Sequence, residues 1–257
     1  MTVDTGKTGI MLCGHGSRDP AAMVEFEQVV TGLKAKLPGY PIEGGYLEFA
    51  QPDIRQGFEN LTARGVARIL ALPAMLVAAS HVKKDLPSEI RQFAAAHPAI
   101  TMHFGRALSL GPKILRAAAE RIADAETKAG SAVPRSETLL LVISRGTADP
   151  EANAMLTKET QRLGQEMGFA RTESGFSGIA SPLIEPALRH AATLGFRRII
   201  LFPYFLFTGI LVKRVYAAAD QLAADCPYIE IVKAGYFRDH PLVLDCFAEQ
   251  ATQIASP

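Results

Sequence analysis

Cysteine is scarce in this 257-residue chain: Cys13, Cys226 and Cys246 lie far apart and form no C-x-x-C pair. Neither a zinc knuckle nor an iron–sulfur cluster is readable, and an odd, scattered thiol count suits a reducing compartment. Net charge is nearly absent as well, with 27 Lys and Arg against 26 Asp and Glu. That balance gives no global pull toward nucleic acid or a membrane surface, so any basic site must be local. The apolar run that opens at Ile69 is too short to cross a bilayer. Met1–Thr8 carries Asp4 and no apolar stretch, so no signal peptide is expected, and the cytoplasm is the expected location. The Gly14–Ser17 turn lacks both the full G-x-G-x-x-G spacing and a P-loop lysine, which leaves a phosphate cradle there with little support.

What is present is a composition of 48% hydrophobic and 21% charged residues, ordinary for one large or two medium-sized domains with a sizeable core. Thr8–Cys13 reads as a strand that runs into Gly14-His15-Gly16-Ser17-Arg18-Asp19-Pro20. Asp19 is suited to cap the following helix and Pro20 to occupy its first position. Further strands are expected near Ile42–Phe49, Arg68–Leu72 and Ile100–Gly105, with helices over about Asp53–Arg64, from Pro87 to near His97, and over Pro112–Ala129. Strands alternating with helices at this spacing predict βαβ units and parallel sheets.

After the polar linker Gly130–Glu137 the pattern begins again, shifted by about 130 residues. Leu12–Pro20 falls on Val142–Pro150, Tyr46–Pro52 on Phe176–Pro182, Ile69–Pro73 on Ile199–Pro203, and Gly105 on Gly235, all without a gap. The expected fold is therefore α/β, with two similar four-stranded, parallel, Rossmann-like lobes from an internal duplication, over residues 1–129 and 138–257. Duplication already supplies two lobes, so a monomer would suffice, and a monomer or a homodimer is expected.

The two copies differ where chemistry is concentrated. His15 falls on Arg145, Glu48 on Gly178, His81 on Leu211 and Asp85 on Val215, whereas Asp19/Asp149, Pro52/Pro182, Pro73/Pro203 and Lys83/Lys213 are kept. A purely structural role would act on both copies alike. The asymmetry assigns reactive side chains to the first lobe and support to the second. His97, His103, His190 and His240 are read as ordinary polar surface residues. Two imidazoles and a carboxylate, each expected where a strand ends, can ligate Co²⁺, Fe²⁺, Ni²⁺ or Zn²⁺ and can accept protons near neutral pH.

At Gly14-His-Gly-Ser-Arg-Asp19, Leu47-Glu-Phe-Ala-Gln-Pro52 and Leu76-Val-Ala-Ala-Ser-His-Val-Lys-Lys-Asp-Leu-Pro87 the chain resembles the sirohydrochlorin chelatases, and the resemblance runs nearly its whole length. It implies an ATP-independent lyase that inserts cobalt or iron into sirohydrochlorin, with no cofactor beyond the substrate metal. His15, His81 and Glu48 would then be the metal-handling and catalytic residues. Ser17, Arg18, Lys83, Lys84 and Arg145 would meet the carboxylates of the macrocycle, with Lys213 and Arg214 as further candidates. The metal stays open between Co²⁺ and Fe²⁺, with Ni²⁺ a third candidate, because His and Glu ligands suit several divalent ions. Two rival readings are a metallochaperone that holds a metal or tetrapyrrole without turnover, and a phosphate-ligand α/β enzyme built on the Gly14–Ser17 turn.

Overall fold

A computed structural model describes residues 7–77 and 85–255. The first sheet is built from β1 (Thr8–Gly14), β2 (Ile42–Tyr46), β3 (Arg68–Pro73) and β4 (Thr101–Phe104), in the order β2-β1-β3-β4. The second repeats this order with β5 (Thr138–Ser144), β6 (Arg171–Phe176), β7 (Arg198–Tyr204) and β8 (Glu230–Lys233) as β6-β5-β7-β8. Every pairing is parallel. Helices α1 (Pro20–Lys36), α2 (Ile54–Ala63), α3 (Leu86–Ala96) and α4 (Pro112–Ala129) follow the first four strands. Helices α5 (Pro150–Glu166), α6 (Ile184–Thr193), α7 (Ile210–Asp225) and α8 (Pro241–Ala255) follow the second four.

The central strands β1 and β5 are buried at every position, as a parallel strand covered by helices on both faces must be. Met11, Cys13, Ile69 and Ala71 pack with Phe58 and Leu61 of α2 and Leu86, Ile90 and Phe93 of α3. Leu139, Leu141 and Ile143 do the same against α6 and α7 in the second sheet. Burial pushes the Cys13 thiol pKa well up, so this cysteine is a packed apolar side chain rather than a nucleophile. The two first helices start alike. Asp19 accepts from Ala21 N, Asp149 accepts from Glu151 N and Ala152 N, and each cap is followed by proline.

Hydrogen-bond register carries the duplication into three dimensions, and also shows where it slips. Ile10 pairs with Ile42 and Leu140 with Thr172; Thr8 pairs with Arg68 and Thr138 with Arg198, all at the 130-residue shift. The last strand breaks the rule. Gly105 N donates to Ala71 O while Ala234 N donates to Leu201 O, so the counterpart of Gly105 is Ala234 and not Gly235. One residue has been lost in the stretch containing α7, because the helix C-caps His97 and Cys226 are already one residue closer than 130. A sheet cannot absorb such a loss without turning its side chains to the wrong face, so the loss falls outside the strands.

The compact units also regroup two helices. The described residues up to Ile114 cluster with those from Arg238 onward, and Leu115–Phe237 forms the other unit. The sequence division at 129 and 138 follows the repeat, whereas packing gives most of α4 to the second unit and α8 to the first. Helix α8 lies against α1 and β3. Gly32 makes room for Leu244, since a Cβ there would sit 2.6 Å from Leu244 Cδ1, and Gln250 Oε1 accepts from Arg106 N at 2.9 Å. Helix α4 is held by Glu126, which receives Arg135 Nη2 at 2.6 Å and Arg198 Nη2 at 3.2 Å. The Arg198 residue is only 2% exposed, and its Nε also donates to Thr138 Oγ1 at 3.0 Å.

Removing one partner of a buried ion pair leaves the other charge uncompensated. Glu126→Ala is therefore expected to lower the unfolding free energy by about 3–5 kcal/mol, read as a lower urea midpoint, with Glu126→Gln costing less because it still accepts a hydrogen bond.

Candidate functional site

In the first unit the chain leaves β1 at Gly14 and turns through His15, Gly16, Ser17 and Arg18 to the Asp19 cap of α1. The neighbouring loop leaves β2 at Tyr46, so Glu48 stands two residues beyond the strand rather than at its end as the sequence suggested. The β1–β2 ladder nevertheless continues past both strands, with Leu47 N donating to Gly14 O at 3.0 Å and Glu48 N to His15 O at 3.1 Å. Those two bonds bring the His15 and Glu48 backbones side by side. Gly16 has φ 92°, and a Cβ there would lie 1.7 Å from Glu48 O. Only glycine allows the two loops to approach this closely. Ser17 Oγ accepts from Asp19 N at 3.0 Å and firms the turn.

The side chains meet as the backbones do. His15 Nε2 lies 3.2 Å from Glu48 Oε1, while Nδ1 faces Gly16 O at 3.3 Å. With the Nδ1 proton directed at Gly16 O, Nε2 presents its lone pair beside the carboxylate. Two donor atoms each about 2.1 Å from a divalent ion, at an angle of about 100°, stand about 3.2 Å apart. The pair therefore has the spacing of two ligands on one metal. Among the described residues no third His, Cys, Asp or Glu joins them.

Sequence reasoning missed Phe49. Its ring is stacked near His15, with centroids 6.2 Å apart and planes at 25°, and Arg18 Cζ stands 5.0 Å over it. The residue is 52% exposed and holds φ 66°, an uncommon backbone for an aromatic residue. A signal existed: the duplicate position is Ile179, also apolar and 75% exposed, so both copies place a large apolar residue in a loop.

The structure thus brings His15, Glu48, Ser17 and Arg18 to one edge of the first sheet. His81, Lys83 and Lys84 lie outside the described residues. Arg145 is exposed just after β5 in the second unit, and Arg214 is engaged there by Glu185, Nη2 to Oε1 at 2.8 Å. That guanidinium holds the Glu185 carboxyl below its usual pKa. The equivalent loops of the second unit line a cavity of about 490 Å³ with Thr147, Asn153, Phe176 and Ile179 among its walls. Asn153 ties off the turn, accepting from Thr147 N at 2.9 Å and donating to Thr147 O at 2.8 Å. A Cβ on Gly178 would sit 2.6 Å from Arg145 O, so a glutamate there would displace backbone. Among the remaining histidines, His190 is exposed as expected, but His240 corrects the surface assignment: it is 6% exposed and accepts from Leu242 N at the start of α8. His97 closes α3 and stacks on Phe93 at 4.1 Å.

Gly16 offers a direct check on the loop geometry, with Gly65 as control, since Gly65 also has positive φ but open space around it. Gly65→Ala is expected to cost about 1 kcal/mol from backbone strain alone. Gly16→Ala is expected to cost about 2–3 kcal/mol more by urea denaturation, because it adds a backbone collision.

Among the described residues no helix is long and apolar enough to cross a membrane. A CbiX family profile matches residues 9–125 and again 139–254. The chain is 30% identical to a sirohydrochlorin cobaltochelatase of Priestia megaterium over 95% of its own length and 79% of that protein. It is 26% identical to a sirohydrochlorin ferrochelatase of the same organism, over 94% of this chain and 88% of the relative. The solved structure of SirB from Bacillus subtilis with Fe³⁺ superposes with a TM-score of 0.83 at 26% identity, covering 97% of this chain and 96% of that one. Two matches to one profile, on the two halves that the strand registers had already paired, settle the matter: the chain belongs to the CbiX family and carries its module twice.

Proposed function

We propose that this protein is a lyase that inserts Co²⁺ or Fe²⁺ into sirohydrochlorin without ATP. The observation that carries the reading is the His15–Glu48 pair, spaced as ligands of one divalent ion, in a chain whose matched relatives are named for this reaction with both metals. His15 Nε2 and Glu48 Oε1 receive the incoming ion as substrate, and His81 supplies a second imidazole. Insertion forms metal–nitrogen bonds and releases the pyrrole N–H protons, so the site must both hold a cation and take up protons. A carboxylate and neutral imidazoles do both. Binding energy from the periphery of the macrocycle, gathered by Ser17, Arg18, Lys83 and Lys84, is then available to orient the ring over the ion. Iron and cobalt both suit this donor set, so the metal used is decided by supply as much as by the site. The three unpaired cysteines fit a cytoplasmic setting, and a duplicated chain can act as a monomer or a homodimer.

The test is initial rates with metal-free sirohydrochlorin and Co²⁺ or Fe²⁺, followed in the visible spectrum against the spontaneous rate. His15→Ala and His81→Ala should each lower the rate by about 100-fold or more, and Glu48→Gln by at least about tenfold, with far-UV circular dichroism unchanged. Wild-type activity in both histidine variants would remove the site assignment. Tight metal binding without turnover would make the protein a carrier instead.

A further inference from the structure

Arg18 and Phe49 form a device that the metal chemistry leaves unused. Among the described residues no carboxylate pairs with Arg18, and its recorded partner is the face of the Phe49 ring, 5.0 Å from Cζ. A guanidinium on an exposed loop ordinarily swings freely among rotamers. This one rests on an aromatic plate whose chain segment directly follows the loop ladder and whose ring is flanked by the His15 imidazole at 6.2 Å. Phe49 exposes half its surface and adopts a left-handed backbone, a conformation that costs free energy for a bulky residue and persists where the surroundings fix it. The outcome is a cation held beside, but not within, the His15–Glu48 pair, with its hydrogen-bonding edges unspent.

We propose that Phe49 is a positioning residue: its ring fixes Arg18 as a receptor for one carboxylate of an anionic macrocycle at the rim of the His15–Glu48 site. A guanidinium stacked on a ring keeps its N–H donors in the plane, free to grip a carboxylate through two parallel bonds. Because the ring also borders His15, the anchored carboxylate sets how far the macrocycle lies from the metal-holding nitrogen. Ile179 occupies the duplicate position with no π face, and Ala148 stands where Arg18 does. The second copy has lost both members of the device together, as expected of a pair that works as one. This inference rests on the chelatase reading for its ligand, but it concerns binding and not turnover.

Equilibrium titration of the full-length protein with metal-free sirohydrochlorin tests it. Arg18→Gln should weaken binding about tenfold and Phe49→Ala about threefold to fivefold. The double variant should match Arg18→Gln alone, because the ring acts only through the guanidinium. Phe49→Tyr should bind like wild type, while Phe49→Leu, which keeps apolar bulk and loses the π face, should behave as Phe49→Ala. Wild-type affinity in Phe49→Leu, or multiplying losses in the double variant, would overturn the proposal. Should Phe49→Ala fail to fold, the Leu and Tyr variants decide it. Parallel turnover with Co²⁺ separates the two readings. A wild-type protein that binds the tetrapyrrole but inserts no metal ends the chelatase reading and leaves Phe49 to be judged by affinity. One that does not bind it ends both.

Discussion

Two backbone hydrogen bonds beyond the ends of β1 and β2 are what the candidate site depends on. Leu47 N to Gly14 O and Glu48 N to His15 O extend a parallel ladder into what would otherwise be two independent loops. Parallel strands leave together from the same edge, so whatever their next residues carry is delivered to one place. The ladder converts that general property into a specific distance, 3.2 Å between an imidazole nitrogen and a carboxylate oxygen. Backbone entropy of the two loops is lowered before any ligand arrives, since the segments supporting both groups are already fixed. Gly16 is part of the same constraint, because a side chain at that point would push the loops apart.

The duplicated half shows what happens when the scaffold is kept and the chemistry is not. The register of β5 with β6 and β7 reproduces that of β1 with β2 and β3, and Ser177 N still donates to Ser144 O at 2.8 Å. Yet Arg145 replaces the imidazole, and a Cβ at Gly178 would meet the Arg145 carbonyl oxygen at 2.6 Å, which leaves no room for a side chain. The second copy has closed over the position where the first displays its carboxylate. Sheet and cap are thus retained alongside this closure, with Arg145 at the position of the first copy's imidazole.

Most of the architecture was legible because it follows from short-range rules. Buried central strands read as continuous apolar runs, Asp-Pro pairs marked the starts of α1 and α5, and the repeat supplied an internal control on both. His15 and Glu48 were legible for the opposite reason: they broke the repeat. Three things were not. The one-residue loss near α7 was masked by Gly235 lying next to the true counterpart of Gly105, and only hydrogen bonds tell the two apart. His240 looked like a surface histidine, but it is buried at the start of α8, where it accepts from Leu242 N. The regrouping of α4 and α8 depends on tertiary packing through Glu126 and Leu244, which no local pattern encodes.

That regrouping bears on how the polypeptide is made. The unit with the contiguous sequence, Leu115–Phe237, has all its elements before synthesis is finished, whereas the unit bearing His15 needs the residues from Arg238 onward. A nascent chain leaving the ribosome therefore cannot complete its earlier-synthesised half first, as domains usually do. The later half is the one able to close first during translation, and the half bearing His15 must wait with a helix-binding face uncovered until α8 has emerged.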